Sequence, residues 1–244
     1  MRVLLAGESW MTHSVHVKGV DSFNTSTYVE GADRLRESLG SAGIDVDYLP
    51  AHLVPARFPA DLSDYSAVIL SDIGANSLLL SPDTFERSAV APNRLAAAEQ
   101  YVREGGGLLM IGGYLSFAGI EGKARFHGTP VETALPVTIG VHDDRAEHPE
   151  GIHPIVTEPG HPVLDGIPPD WPPLLGYNRL AAKSATQVLA RCGADPLLVV
   201  GSHGEGRSAA FASDCAPHWC PPAFMTWPGY DPLWGNLLHW LAGQ

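Results

Sequence analysis

The sequence predicts an α/β fold: a flavodoxin-like three-layer sandwich with a mostly parallel central sheet, an antiparallel extension and an inserted hairpin and loop segment. Two observations support this prediction. The apolar run Leu-Leu-Met-Ile at residues 108–111 lies between glycine clusters at 105–107 and 112–113, which is typical of a buried parallel strand. In addition, the first half of the chain follows the order β, α, β, β, α, β, as expected when helices cover a parallel sheet.

The elements of the first half follow from their apolar patterns and their breakers. Leu35 and Leu39 are four residues apart and are followed by glycines, which predicts a helix and its end. The predicted elements are a strand at 2–6, a polar loop at 7–16, a helix at 27–43, an edge strand at 44–49, a loop at 53–63, a strand at 65–71 and a helix at 93–103.

The second half has a different composition. From residue 123 to about 156 helical periodicity disappears and His, Pro, Asp and Glu become frequent. We interpret this range as an insertion within a single domain that spans residues 1–244. Turn signals between the later apolar runs predict antiparallel strands. The predicted elements are a short turn or helical element at 160–167, strands at 174–180, 187–191, 196–201 and 206–213, and an aromatic helix at 231–242.

Composition limits the partners of the chain. The net charge is −12, which argues against nucleic acid and against anionic membrane surfaces. No apolar run is long enough to span a bilayer, and the N-terminal apolar run is too short for a signal peptide. Three cysteines form no even disulfide framework, so we expect a reducing cytoplasm. The expected partner is a small molecule, and the aromatic loops near the C-terminus leave a homo-oligomer open.

Polar residues from distant parts of the chain follow the predicted strands. Because the carboxyl ends of parallel strands share one edge of the sheet, where ligands bind in open α/β folds, we expect these residues to meet there. The candidate ligand-binding residues are Ser9, Trp10, His13, Asp72, Asn76, Gly113, Tyr114, Ser116 and Trp219.

Asp214 and His218 are the candidate catalytic pair. They follow the last predicted strand and are separated by Cys-Ala-Pro. An Asp beside a His can orient the imidazole for general acid–base catalysis. The alternative is that Asp214 caps the turn while His218 packs on Trp219.

Metal ligands and nucleophiles are less well marked. We expect no metal or other cofactor. The alternative is a divalent metal at His13 and His16 with Asp72 or His218. The acidic cluster between His142 and His153 is interpreted as a solvated loop, part of which folds over the site.

Ser116 and the three cysteines are the candidate nucleophiles. Ser116 is either a nucleophile, if a base is in reach, or an N-cap. Cys192, Cys215 and Cys220 are better explained as small buried or loop residues, because a neighbouring acid such as Asp214 opposes thiolate formation.

Four stretches resemble one family. They are Gly-Glu-Ser-Trp at 7–10, Ser-Asp-Ile-Gly-Ala-Asn at 71–76, the run from Gly105 to Phe117, and Ser-Asp-Cys-Ala-Pro-His-Trp at 213–219 with Trp-Pro-Gly-Tyr at 227–230. The chain resembles the family named "putative glutamine amidotransferase", a branch of the class I glutamine amidotransferase-like superfamily, and is similar to ThuA-like (trehalose-utilisation) proteins. The resemblance covers nearly the whole chain and implies a flavodoxin-like sandwich.

The resemblance also defines what this chain lacks. Class I amidotransferases carry a Cys at the strand-to-helix elbow, and here that position falls on Gly112-Gly113-Tyr114. His218 lies roughly where their catalytic His would be, without the acidic residue that follows it in the family. We therefore expect ancestry rather than glutaminase activity.

The sequence is compatible with three functions. The leading one is an acid–base enzyme, of hydrolase or lyase type, acting on a small polar metabolite such as a carbohydrate derivative. The second is a non-catalytic protein that binds a small molecule in a regulatory role. The third is an amidotransferase with an unconventional nucleophile such as Cys215.

Overall fold

A computed structural model describes residues 1–244 and shows fourteen strands and eight helices. The strands are β1 (Arg2–Gly7), β2 (Ser9–Lys18), β3 (Asp21–Glu30), β4 (Asp45–Pro50), β5 (Ala67–Ser71), β6 (Gly107–Ile111), β7 (Val137–Thr138), β8 (Arg145–Ile152), β9 (Ile155–Val156), β10 (Leu174–Asn178), β11 (Ala181–Ala182), β12 (Gln187–Cys192), β13 (Asp195–His203) and β14 (Gly206–Phe211). The helices are α1 (Asp33–Ser41), α2 (Val54–Arg57), α3 (Ala75–Leu79), α4 (Pro82–Arg87), α5 (Arg94–Arg103), α6 (Pro130–Ala134), α7 (Pro222–Met225) and α8 (Tyr230–Leu241).

The central sheet has eight strands in the order β4, β1, β5, β6, β14, β13, β12, β9. The first five are parallel to their neighbours, and the last three continue the sheet in antiparallel fashion. β6 lies in the middle and is buried along its whole length, as its uninterrupted apolar run requires. The flavodoxin-like α/β prediction is confirmed.

Residues 9–30 differ from the prediction. The expected polar loop and the first part of the expected helix form a β-hairpin of β2 and β3 in a separate two-stranded sheet, and α1 begins only at Asp33. Nearly all hairpin residues are exposed. Both faces of the hairpin are exposed, and only residues 14–18 alternate between polar and apolar side chains, a short strand signal that the prediction missed. The short helices α2, α3, α4 and α7 were also not predicted, and α2 lies within the expected loop at 53–63.

Two late strands pair differently from the prediction. β14 extends the parallel part of the sheet, because it is parallel to β6. β10 lies outside the central sheet and is antiparallel to β8 from the inserted segment. The insertion is therefore not only hairpins and loops: it contains the short helix α6, and its last strand, β9, forms an edge of the central sheet.

An aromatic cluster joins α8 to the central sheet. Trp234 contacts Phe211 of β14 at a ring-centroid distance of 5.1 Å and Tyr230 at 5.9 Å, both edge to face. All three side chains are fully buried. Edge-to-face packing of large rings stabilises the fold beyond the burial of apolar area alone.

None of the helices combines the length and the apolar character that crossing a membrane requires.

We expect Trp234→Ala to lower the free energy of unfolding by about 3–5 kcal/mol, because it leaves a large cavity among packed rings. The matched control is Phe85→Ala on α4, whose side chain is 74% exposed and should change stability by less than about 0.5 kcal/mol. Denaturant unfolding measures both. Equal effects would contradict the assignment of this cluster as core.

Candidate active site

Four parallel strands end at the same edge of the sheet, and each is followed by residues of the candidate site. β1 leads to Glu8, β5 to Asp72, β6 to Gly113 and β14 to Asp214. Glu8 and Asp72 have backbone φ angles of 47° and 40°, a region that residues other than glycine rarely adopt. Strained backbone at adjacent strand ends is often associated with function.

Glu8 is a fully buried acid that the sequence analysis did not select. The Ser71 hydroxyl donates a hydrogen bond of 2.5 Å to its Oε2, whereas Oε1 has no partner. Burial raises the pKa of Glu8 well above its ordinary value, and the nearby Asp214 and Asp72 carboxylates raise it further. Glu8 directly follows a buried strand, which is the same positional signal that singled out Asp72.

Asp214 and His218 lie together, as the sequence suggested. His218 Nδ1 is 3.7 Å from Asp214 Oδ2, and the side chains are 42% and 0% exposed. This separation allows an ion pair but is longer than a hydrogen bond. Asp214 Oδ1 accepts from the Ala216 N–H, while Oδ2 has no hydrogen bond. Burial raises the pKa of Asp214, and the Asp214 carboxylate raises the pKa of His218.

Asp72 is the third acid at this edge. Its Oδ1 accepts a 2.6 Å hydrogen bond from the Leu115 N–H, and its own N–H donates to Ser116 Oγ. Desolvation, followed by the Asp214 charge, raises the pKa of Asp72 to about 6. This carboxyl group therefore changes charge close to neutral pH, where a proton-transfer group is most effective.

The glycine elbow after β6 leaves no room for a nucleophile. Gly113 has φ 147°, and a Cβ placed there would lie 2.7 Å from Asp72 Oδ1. The Gly113 N–H donates to Asn178 Oδ1, and the Gly112 N–H donates to backbone carbonyls of Phe211 and Ser213. These two N–H groups are therefore not free to bind an anionic ligand, as an anion-binding glycine turn would require.

Aromatic rings surround the exposed face of His218. Its ring centroid lies 5.2 Å from Trp10 and 5.6 Å from Tyr114, which is nearly parallel to it. Trp219 is buried, and its ring centroid lies 5.5 Å from that of Tyr114. Its indole N–H donates a hydrogen bond to Glu147 Oε2. Aromatic faces of this kind stack on the apolar faces of cyclic ligands.

Arg145 covers the outer face of Tyr114 at 4.8 Å. Its guanidinium is held by Asp143 through two hydrogen bonds and lies 3.5 Å from Glu147. Its positive charge is thus already compensated, which makes it a poor anion clamp.

The hydroxyl groups of Ser9 and Ser116 form hydrogen bonds with backbone groups. Ser9 Oγ accepts from the Ala51 N–H, and Ser116 is buried between the Ile111 carbonyl and the Asp72 N–H. Ser116 is thus held by backbone groups, with no base in contact.

Asn76 and His13 do not contact the other candidates. Asn76 is exposed on α3. His13 lies on the exposed hairpin, hydrogen-bonded to Ser26. His16 is three residues further along the same strand, so the two imidazoles point to opposite faces and cannot share a metal.

The cysteines are poorly placed to act as nucleophiles. All three are buried, and burial raises the pKa of the Cys215 thiol well above its ordinary value, with Glu8 and Asp214 adding to the effect. A thiol in such surroundings is a poor nucleophile. The Cys215 Sγ lies 3.7 Å from Ser71 Oγ and from Glu8 Oε2.

The interpretation of residues 142–153 as a solvated loop is wrong for Asp144. Asp144 is buried, and its carboxylate accepts from the Ala118 and Gly119 N–H groups and from Asn178 Nδ2. Asn178 in turn binds both polar groups of Gly113. This network connects the inserted segment to the elbow, and nothing in the local sequence indicates it.

We expect Gly113→Ala to lower the free energy of unfolding by about 2–5 kcal/mol, because it adds both backbone strain and a clash with Asp72. Gly105→Ala is the matched control: φ is 114° but no atom lies near its added Cβ, so only strain of about 1–2 kcal/mol is expected. Denaturant unfolding compares them. A smaller effect at Gly113 would show that the elbow has room for a side chain.

We expect Asp72→Asn to stabilise the protein above pH 6 by about 1–2 kcal/mol and to have no such effect below about pH 4. The folded state raises the pKa of Asp72 to about 6, so its ionisation destabilises the fold as the pH rises through that range. The amide oxygen of Asn can still accept from Leu115. Thermal unfolding from pH 4 to 8, with a chelator present, measures the difference, and a pH-independent difference would contradict it.

Comparison with known proteins identifies relatives over the whole chain. The family model described as "Putative glutamine amidotransferase" matches residues 2–243. The solved structures of two cytoplasmic proteins from Salmonella typhimurium, STM3548 and STM1381, are similar, with 46% and 48% identity. Each similarity covers 99% of both chains with a TM-score of 0.95.

More distant similarity concerns the fold alone. A ThuA-like protein from Parabacteroides merdae has 14% identity and a TM-score of 0.60 over 99% of this chain and 89% of that one. No curated protein matches this sequence. The family model and the two Salmonella structures agree with the resemblance seen in the sequence, and the chain belongs to the "Putative glutamine amidotransferase" family.

Proposed function

We propose that this protein is an enzyme that transfers protons on a small, uncharged, polyhydroxylated molecule, in a reaction of the hydrolase or lyase type. The observation that carries the proposal is the setting of His218. One side of its imidazole faces the buried Asp214 carboxylate, and its exposed part lies between the rings of Trp10 and Tyr114. A positioned imidazole beside a ring-binding surface is suited to general acid–base catalysis.

Two groups can share the proton transfers. His218, positioned by Asp214, is one, and Asp72, with a pKa raised to about 6, is the other. The Asp72 charge also contributes to the raised pKa of His218. When two titratable groups respond to each other near neutral pH, one can accept a proton while the other donates.

The charges around the site favour an uncharged ligand. Glu8, Asp72, Asp214 and Glu147 are all acidic, and the nearest arginine, Arg145, is neutralised by its own carboxylates. A phosphorylated or carboxylated ligand would lie beside this group of acids, and Arg145 would not be available to pair with it. Aromatic faces with neighbouring polar groups instead suit a sugar-like ring.

Glutaminase chemistry finds no support in the site. The elbow has no side chain, and the remaining thiol near it, Cys215, is buried with a raised pKa. We therefore infer that the family name reflects the ancestry of this chain and not its reaction. Because the two Salmonella relatives are described as cytoplasmic proteins, we infer the same compartment for this one.

The test compares two substrate pools followed by NMR: neutral sugars, sugar lactones and cyclitols in one, and their phosphorylated counterparts in the other. We expect turnover in the neutral pool alone. His218→Ala should lower kcat/KM by about 10²–10⁴-fold. His239→Ala on α8, whose imidazole contacts Gln244, should leave it unchanged.

Three outcomes would overturn the proposal. Full turnover by His218→Ala would remove His218 from the chemistry. Thermal stabilisation by a neutral sugar without turnover would favour the non-catalytic binding protein. Ammonia release from glutamine, together with labelling of Cys215 by a glutamine-analogue electrophile, would show that the protein is an amidotransferase with an unconventional nucleophile.

A further inference from the structure

Beneath His218 lies a group of three fully buried residues whose side chains carry metal-binding atoms. Glu8, Asp214 and Cys215 each offer one such atom, and these atoms all lie within 4.8 Å of one another. The three residues come from the ends of two different strands, β1 and β14. In the proposed acid–base reaction Asp214 only positions His218, and Glu8 and Cys215 have no role.

Two oxygen atoms in this group have no hydrogen-bond partner. They are Glu8 Oε1 and Asp214 Oδ2, and both residues are completely buried. The remaining oxygens are occupied: Ser71 donates to Glu8 Oε2, and the Ala216 N–H donates to Asp214 Oδ1. An unpaired buried carboxylate oxygen is unfavourable unless a proton or a cation satisfies it.

The one basic side chain close to the pair is His218, which lies 3.7 Å from Asp214 Oδ2 and on the exposed side. Glu8 has no such partner. In addition, the third acid, Asp72, adds negative charge nearby. A bound cation would compensate this charge.

We propose that Glu8, Asp214 and Cys215 form a binding site for a divalent cation of the zinc class. One sulfur and two carboxylate oxygens are a ligand set of intermediate softness, which suits Zn²⁺ or Co²⁺ and does not suit Ca²⁺ or Mg²⁺. Cys215 Sγ lies 3.7 Å from Glu8 Oε2, close to the sulfur–oxygen edge of about 3.5 Å that typical bond lengths give for a tetrahedral zinc site. Oε1, the oxygen without a partner, belongs to the same carboxyl group.

Neighbouring groups already orient the ligands. Ser71 and the Ala216 N–H hold one oxygen of each carboxylate, and the other oxygen of each has no hydrogen bond. The Tyr230 hydroxyl donates to the Cys215 carbonyl and fixes the backbone that carries the thiol. Hydrogen bonds of this kind orient ligands in known metal sites. Binding would displace the thiol proton, so affinity should rise with pH.

The experiment titrates the chelator-treated full-length protein with Co²⁺ and with Zn²⁺. We expect one Co²⁺ per chain, with a near-ultraviolet thiolate-to-cobalt charge-transfer band that Zn²⁺ abolishes by displacement. Cys215→Ser should lose the band. Glu8→Gln and Asp214→Asn should weaken cobalt binding at least about tenfold, as expected when a ligand or its orientation is lost.

Cys192→Ser is the matched control, because Cys192 is equally buried but lies at the end of β12; its band and affinity should equal those of the wild type. If a site variant fails to fold, X-ray absorption at the cobalt edge of the wild type and of Cys192→Ser decides, with one sulfur ligand expected in both.

The site is refuted if the wild type binds neither cation, if Cys215→Ser keeps the band, or if the cobalt has no sulfur ligand. The free oxygens would then be satisfied by protons alone. None of these measurements requires turnover, so the cation site can fail while the acid–base proposal stands, and the reverse is equally detectable.

Discussion

Three carboxyl groups, Glu8, Asp72 and Asp214, are held close together in the protein at the carboxyl edge of the central sheet, and each raises the cost of ionising another. Like charges at short range in a low-dielectric environment repel strongly. Such an arrangement persists only if the surrounding structure determines the backbone. Here parallel strands deliver all three residues, and the left-handed φ angles at Glu8 and Asp72 turn the chain at the point where each strand ends.

This constraint also explains the elbow. In the amidotransferase pattern the turn after the central strand would present a cysteine. In this chain Asp72 Oδ1 lies only 2.7 Å from the place that the Cβ of residue 113 would take. The acid and a nucleophilic side chain cannot both be accommodated there. The glycine at residue 113 and the presence of Asp72 are therefore two aspects of one arrangement.

The inserted segment is tied to the same edge. The Asp144 carboxylate accepts hydrogen bonds from backbone N–H groups in the stretch after the elbow. Asn178 forms hydrogen bonds with both Asp144 and Gly113. Because buried carboxylates need several donors to be stable, this network fixes both the insertion and the glycine turn. The strand that follows Asp144 also contains Arg145 and Glu147. Arg145 lies over the Tyr114 ring, and Glu147 accepts a hydrogen bond from the Trp219 indole.

Local sequence determined the features that rest on periodicity and on strand order. The apolar run at 108–111, the α5 helix and the early α/β alternation were sufficient for the fold class, and strand ends identified Asp72, Asp214 and His218. Periodicity gave only a short signal, at residues 14–18, for the exposed hairpin, since neither of its faces is buried.

Only the tertiary structure decided the rest. The parallel pairing of β14 with β6, the burial of Asp144 and the meeting of Glu8 with Cys215, 207 residues later, depend on contacts between distant segments. Burial and charge coupling, which set the chemistry of these groups, arise only when such segments pack together and exclude water.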